Sequence, residues 1–298
     1  QNPDGTLRDI THSSGTGWLE YCAAALLVDL DNDGDRDLIV SQDFRVMVMA
    51  NDGKGAFTLA FGSSTKAQSF SLAAADYDND GLVDFYICGY NPSQSELRGG
   101  AMGEPMPFHD ANNGGRNAMF RNDGSWRFTN VTRRTGLDAN NRRFSYAASW
   151  EDYDNDGDLD IYVANDFGSN NLYCNVTGPD GVPRFEDVAE VAGVVDIAPG
   201  MSACWGDYNN DGNPDIYVAN MFSAAGHRVS AQDRFHEGAD QRTREKFRRH
   251  ARGNSLFRNN GDGNFTDVSL EAGVSIGRWA WASKFTDLDG DGFEDIVV

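Results

Sequence analysis

Five stretches of the chain share the frame D-x-D/N-x-D-G-x-x-D and run at once into an apolar segment. They read DLDNDGDRDLIV from Asp29, DYDNDGLVDFYI from Asp76, DYDNDGDLDIYV from Asp152, DYNNDGNPDIYV from Asp207 and DLDGDGFEDIVV from Asp287. Oxygen donors at alternating positions suit a hard cation. Positions 1, 3, 5 and 9 are Asp29, Asp31, Asp33 and Asp37 in the first loop, Asp76, Asp78, Asp80 and Asp84 in the second, and Asp152, Asp154, Asp156 and Asp160 in the third. The fourth loop offers Asp207, Asn209, Asp211 and Asp215, and the fifth Asp287, Asp289, Asp291 and Asp295. Position 7, which is Asp35, Leu82, Asp158, Asn213 or Phe293, can add its backbone carbonyl, and Gly at position 6 lets the loop wrap. Magnesium prefers six near-ideal short bonds and retained waters, so a loop with this many protein oxygens, one able to bind bidentately, points to calcium. Up to five Ca2+ are expected.

An EF-hand shares the first half of the frame but needs a bidentate Glu at position 12 and flanking helices. Position 12 here is Val40, Ile87, Val163, Val218 and Val298, all in strand-like runs. Acidic turns without metal would explain one copy, not five in register. The formal charge of −21, from 46 acidic and 25 basic residues, repels a nucleic-acid backbone and rules out phosphate-tracking roles. Metal explains part of that acidity, because carboxylates crowded within a few ångströms repel one another until an ion neutralises them.

The loops start 47, 76, 55 and 80 residues apart, so the minimum unit is near 47 residues and two intervals carry extra material. That period suits a propeller blade. A second element alternates with the first: NDGKGAFTLAF from Asn51, MFRNDGSWRFTNVTRRTGL from Met119, LYCN with RFEDVAEVAGV from Leu172, and LFRNNGDGNFTDVSLEAGV from Leu256. Its N-D-G and N-G-D-G stretches supply the positive backbone angles of tight hairpins. The fold class expected is all-β, a propeller of four-stranded antiparallel blades within one domain spanning residues 1–298. The clearest blade is read as strands 146–151, 160–164, 171–174 and 184–188. The first strand of each blade is rich in small or aromatic residues, which suits the crowded axis, so Trp150, Trp205, Trp279 and Trp281 are expected in the core. The opening NPDGTLRDITHSSG from Asn2 reads as a fourth strand alone, and the last copy stops after its second strand. Either five blades close with one incomplete, or the chain is part of a larger ring, such as one of seven blades; unpaired strand edges favour the second.

The longest apolar run, CAAALLV from Cys22, is far short of the roughly 18–20 residues of a membrane span. No transmembrane segment is expected. The chain opens at Gln1 without a basic segment and apolar stretch, so any secretory signal is expected to have been removed or never to have been present. Cys22, Cys88, Cys174 and Cys204 show no C-x-x-C spacing and read as small buried hydrophobes, one disulfide being the alternative. Sequons at Asn130, Asn175 and Asn264 have meaning only for a eukaryotic secreted protein.

The aspartate loops resemble the calcium-binding FG-GAP or VCBS repeat, as in the β-propeller of integrin α-chains. PFHDANNGGRNAMFRNDG from Pro107, MFSAAGHRVS from Met221 and RRHARGNSLFRNNGDGNFTDVSLEAGV from Arg248 resemble the bacterial secreted ASPIC and UnbV group, similar to cartilage acidic protein. The resemblance spans almost the whole chain and implies a calcium-stabilised propeller that is extracellular, on the cell surface or periplasmic. Members of that group usually have more blades and often a further C-terminal domain, neither of which is present here. Blade number therefore stays open.

In a four-stranded meander the loops between strands one and two share one face, and those between strands two and three share the other. Both long insertions, residues 91–117 and 221–254, are of the second kind. Long loops on a rigid scaffold are where binding concentrates, so the face opposite the aspartates is the expected recognition surface for a protein or glycan, in an adhesion or scaffold role. The second insertion is locally basic, and ADQRTREKFRRHAR from Ala239 reads as a helix with Phe247 inward. Arg242, Arg244, Arg248, Arg249 and Arg252 are its candidate contacts to an acidic partner or anionic sugar; a solvated helix covering the propeller end is the plainer alternative. Met102, Met106, His109, Asp110, His227, His236 and His250 offer softer ligands for copper or a similar ion, without compact spacing. No nucleophile elbow, zinc-protease motif or phosphate loop occurs, so no enzyme is expected. The competing hypotheses are a propeller enzyme acting on polysaccharide, with His109, Asp110, His227 or an insertion arginine at its site, and a structural subunit of a cell-envelope assembly.

Overall fold

The computed structural model describes residues 4–97, 104–107, 110–178 and 181–298. Met102 and His109 lie outside the described residues, so the readings placed on them do too. The first sheet is β1 (Cys22–Val28), β2 (Asp37–Gln42), β3 (Arg45–Asn51) and β4 (Phe57–Ser64). The second is β5 (Ala67–Ala75), β6 (Asp84–Pro92), β7 (Ala118–Asn122) and β8 (Phe128–Asn130), and the third β9 (Phe144–Glu151), β10 (Asp160–Phe167), β11 (Asn171–Asn175) and β12 (Phe185–Asp187). The fourth is β13 (Gly200–Gly206), β14 (Asp215–Asn220), β15 (Ser255–Asn259) and β16 (Phe265–Asp267); β17 (Lys284–Thr286) and β18 (Asp295–Val297) form a two-stranded fifth. Each four-stranded sheet is an antiparallel meander. The strands β1, β5, β9, β13 and β17 lie side by side in that order as the inner rank of a propeller-like array.

Period-two alternation explains why the second strands read as unbroken apolar runs. Along β6, Phe85 and Ile87 pack into the core shared with the first sheet, while Tyr86 and Cys88 enter the core shared with the third. On β10, Ile161 and Val163 face back, and Tyr162 and Ala164 face forward. Tyr217 and Ala219 on β14 do the same toward β17. Every sheet interface is thus a dry layer of its own. Burying each such side chain stabilises by about 1.5–3 kcal/mol, so the stacking of neighbours, not any single sheet, holds the fold.

The turn after the second sheet's fourth strand docks on the fourth strand of the third sheet. The Thr135 carbonyl accepts the Phe185 N–H at 2.7 Å, and beside it Gly136 has φ +83° where a Cβ would meet the Phe185 carbonyl at 2.7 Å. At the start of the chain, the Ser14 carbonyl accepts the Phe57 N–H at 2.8 Å, and Gly15 has φ +76° against the Phe57 carbonyl. The opening segment therefore does the docking part of the repeat. It forms no strand, contrary to the expectation: among the described residues the bond from Phe57 is not continued into a ladder, and no sheet takes the segment as a further strand.

Trp150 and Trp205 pack against the cores as expected, but Trp279 and Trp281 are 68% and 52% exposed. Among the described residues the fifth sheet has only two strands, and the core it shares with the fourth sheet takes in neither indole. Tyr146, on β9, still meets Trp281 edge-on at 5.9 Å. All four cysteines are free: Cys88 and Cys174 are buried, Cys204 partly so, and Cys22 exposed. Asn175 is buried in β11, whereas Asn130 and Asn264 are exposed.

Three helices interrupt the sheets: α1 (Ala189–Ala192), α2 (Ala224–Ser230) and α3 (Gln241–His250). The last is the helix expected in the second insertion, capped by Asp240, whose side chain accepts the Thr243 N–H at 2.7 Å. Its Phe247 stacks on His236 at 4.5 Å and meets Phe235 edge-on at 5.4 Å.

Candidate metal centre

Each aspartate loop joins the first and second strands of a sheet. Asn32, Asn79, Asn155 and Asn210 at position 4 sit at φ 55–60°, and position 6 is always a positive-φ glycine, conformations these residues reach at least cost. Position 1 closes the loop. One carboxylate oxygen of Asp29, Asp76, Asp152, Asp207 and Asp287 accepts the N–H of Gly34, Gly81, Gly157, Gly212 and Gly292 at 2.8–3.0 Å.

Four loops gather three carboxylates with ligand atoms within 4.8 Å of one another: Asp29, Asp31 and Asp33; Asp76, Asp78 and Asp84; Asp152, Asp154 and Asp160; Asp287, Asp289 and Asp291. One oxygen each of Asp29, Asp35 and Asp78 is buried without a hydrogen-bond partner. Anionic oxygens held close, some shielded from water and unpaired, fit a hard divalent cation. Burial raises the Asp31, Asp78 and Asp154 carboxyls, and neighbouring aspartates raise them further. A bound ion would supply the countercharge that the loops themselves lack.

The fourth loop differs. Asp207, Asn209, Asp211 and Asp215 form no such group among the described residues. Instead the amides of Asn209 and Asn213 each donate to Asp211 at 2.9 Å.

Position 9 has a second duty that spacing did not reveal. Asp84 accepts the Tyr77 N–H at 3.3 Å and the Asn122 N–H at 2.7 Å, so it clamps its loop to the third strand. Asp37 holds Leu30 and Asn51, and Asp160 holds Tyr153 and Asn175, in the same way. Asp215 holds Asn259, and Asp295 holds Leu288. Burial pushes the Asp84 and Asp160 carboxyls up to about 8 and Asp215 up to about 7, although the backbone donors oppose it.

The asparagines carry work that was not foreseen. Asn32 donates to the Gly81 carbonyl at 2.8 Å, Asn79 to Asp158 at 3.1 Å and Asn210 to the Gly292 carbonyl at 2.8 Å, so position 4 of one loop grips position 6 or 7 of the next. The signal was present as N-D-G, but it read only as turn chemistry.

On the opposite face the two insertions meet. Asp110 binds Arg143 at 2.8 Å, Ser169 at 3.1 Å and Lys246 of α3, while Asn113 accepts the Met106 N–H at 2.8 Å and Asn117 the Gly89 N–H at 2.7 Å. Beside this knot lies a cleft of about 730 Å3, walled by residues such as Asn140, Asn171, Glu190, Arg242, Glu245 and Lys246. Of the five arginines singled out, Arg249 turns inward onto Asp196 at 3.0 Å and Asp267 at 2.6 Å, and Arg252 onto Asp267 at 2.8 Å. Arg248 donates to the Ser230 carbonyl at 3.3 Å and Arg244 to the Asp233 carbonyl at 3.5 Å; Arg242 is exposed on the cleft wall. Among the described residues, the histidines of the soft-ligand set do not assemble. The ring of His250 bonds the Ile197 carbonyl, His236 stacks on Phe247, and no group containing histidine gathers among the described residues.

No helix among the described residues is long and apolar enough to cross a membrane. No curated protein matches this chain. Among solved structures, a lectin of Agrocybe aegerita, described by its specific recognition of non-reducing terminal N-acetylglucosamine, is 17% identical at a TM-score of 0.45, with 94% of this chain and 61% of that chain covered. BBS1N, solved in complex with ARL6DN, is 9% identical at a TM-score of 0.38, with 68% and 52% covered. The chain thus spans less than two thirds of the length of either. The FG-GAP-like repeat pattern matches residues 29–87, 152–218 and 247–298, segments that contain all five aspartate loops. Covering more than half of the sequence, that match makes the chain a member of the FG-GAP-like repeat family.

Proposed function

We propose that this protein is a calcium-stabilised extracellular or periplasmic propeller module that binds a protein or glycan, without catalysing a reaction, through the face carrying the two insertions. The observation that carries the reading is the division of labour between the two ends. One end gathers carboxylates with unpaired buried oxygens. The other presents a cleft of about 730 Å3 between the insertions, walled by both charged and apolar side chains and within the roughly 300–1,000 Å3 of ligand sites. The ion neutralises the aspartates when bound. The chain's own residues then fix the loops: position 1 closes each turn, position 9 clamps it to the sheet, and position 4 ties it to its neighbour. Millimolar extracellular calcium keeps such sites filled, which favours an extracytoplasmic location.

Three measurements test this. Chelation should lower the melting temperature by several degrees, restored by calcium and poorly by magnesium; an unchanged transition sinks the metal half. Arg242→Glu, on the cleft wall, should weaken capture of a glycan or protein ligand without moving that transition. Turnover of a polysaccharide by the wild-type protein would replace this reading with the enzymatic one.

A further inference from the structure

A smaller cavity of about 300 Å3 lies between α2 and α3, lined by His227, Ser230, Ala231, Arg248, Arg249 and Arg252. No carboxylate lines it, on a chain with 46 acidic residues. The acids that hold the arginines stand behind them. Asp196 and Asp267 take Arg249, and Asp267 also takes Arg252, yet neither acid reaches the cavity wall. Three guanidiniums face two carboxylates, so one positive charge is left over. Arg248 is the unmatched member: among the described residues it makes no ion pair, only the bond from Nε to the Ser230 carbonyl. Nε of Arg252 is buried with no acceptor. A buried charged donor without a partner is costly, and an anion would relieve it.

We propose that this cavity is a subsite for a tetrahedral oxyanion, the sulfate or phosphate ester group of a ligand whose remainder lies in the adjoining cleft. Arg249 lines both cavities, which makes them neighbours. The volume lies at the small end of ligand sites, right for a head group and too small for an oligosaccharide. Its lining residues come from α2, from α3 and from the chain that follows α3, and side chains on separate elements suit an anion with oxygens on several sides better than a planar one. The inference deepens the reading of this face as a recognition surface and rests on it, but the cavity is tested with small probes alone.

The full chain, loaded with calcium, is titrated calorimetrically with glucose 6-sulfate, glucose 6-phosphate, glucuronate and glucose. Saturable binding of one or both esters, with glucose and glucuronate at least about tenfold weaker, is expected, and the two ester arms separate sulfate from phosphate. Arg248→Gln, at an exposed position, should cost about tenfold in ester affinity and leave the melting temperature of the free protein unchanged. Arg252→Gln, checked first for its folded spectrum, should do at least as much. Ester binding no tighter than that of glucose or glucuronate, or binding indifferent to both substitutions, overturns the proposal. Retained ester binding beside an Arg242→Glu protein that still captures its partner supports the subsite and counts against the cleft.

Discussion

The side chain of Asn122, in the third strand of the second sheet, donates to the backbone carbonyl of Leu30 in the first aspartate loop at 2.8 Å. Its own N–H is held by Asp84 at 2.7 Å, so one buried residue joins two loops and two sheets. Asn175 repeats the bond to Tyr77 at 3.3 Å and Asn259 to Tyr153 at 2.8 Å. Replacing Asn122 by Ala strands the Leu30 carbonyl and should destabilise by about 1–3 kcal/mol. Denaturant unfolding should show the same direction for Asn259→Ala; two neutral results would mean that these bonds are incidental.

Positions 5 and 9 of one loop should behave differently. Asp80 is exposed and caps only the Leu82 N–H within its own loop, whereas Asp84 is fully buried and holds backbone of both its loop and the third strand. Asp80→Ala should therefore weaken calcium affinity with little loss of stability in chelator. Asp84→Ala should unfold the protein more easily with or without calcium. Equal losses for both in chelator would show that position 9 is no clamp.

Asn79 reaches the third loop through Asp158, so the loops are mechanically joined. Asn79→Ala should reduce the steepness of calcium binding in a calorimetric titration more than it reduces the affinity of the first site filled. Identical isotherms for variant and wild type would exclude that coupling.

Arg249 is held by the fully buried Asp196, by Asp267 and by Ser255, above the ring of Phe257 at 5.8 Å. Arg249→Ala leaves a buried carboxylate unpaired and should cost about 3–5 kcal/mol. Burial alone would raise the Asp196 carboxyl, but the charge of Arg249 and the bonds from Ser255 and Ala198 hold it below the ordinary value. A depressed carboxyl contributes stability above the unfolded pKa that is lost as pH falls through the folded one. Without Arg249 burial would raise that carboxyl, so the difference between wild type and Arg249→Ala should shrink progressively as pH falls and be smallest in strong acid, which urea midpoints from pH 7 down to pH 2 would read.

Asp166 has the opposite sign. It is 6% exposed, accepts the Tyr90 hydroxyl at 2.5 Å and has its other oxygen unpaired. Burial pushes its carboxyl up to about 6, although the Tyr90 bond works against this. A raised folded pKa gives stability that is complete below the unfolded pKa and lost as pH rises through about 6. Asp166→Asn should flatten the stability curve between pH 4 and 7 by up to about 3 kcal/mol; an unaltered curve would show that Asp166 is better solvated than its burial implies.

The sequence by itself determined the blade pattern, the strands of the third sheet to within a few residues, and the oxygen donors of the loops. Those features are local: alternation, N-D-G turns and a nine-residue frame each act within one hairpin. Only the tertiary structure decided that Asp84 clamps its loop to the third strand, that Asn122 joins neighbouring sheets, and that Arg249 faces inward while Arg242 faces the cleft. Such roles depend on which distant carbonyl or carboxylate comes within 3 Å, and Leu30 and Asn122 are 92 residues apart in the chain. Exposure of Trp279 and Trp281 was equally hidden. An aromatic inner strand carries the same pattern whether or not a neighbouring sheet covers it, and only packing removes its surface from water.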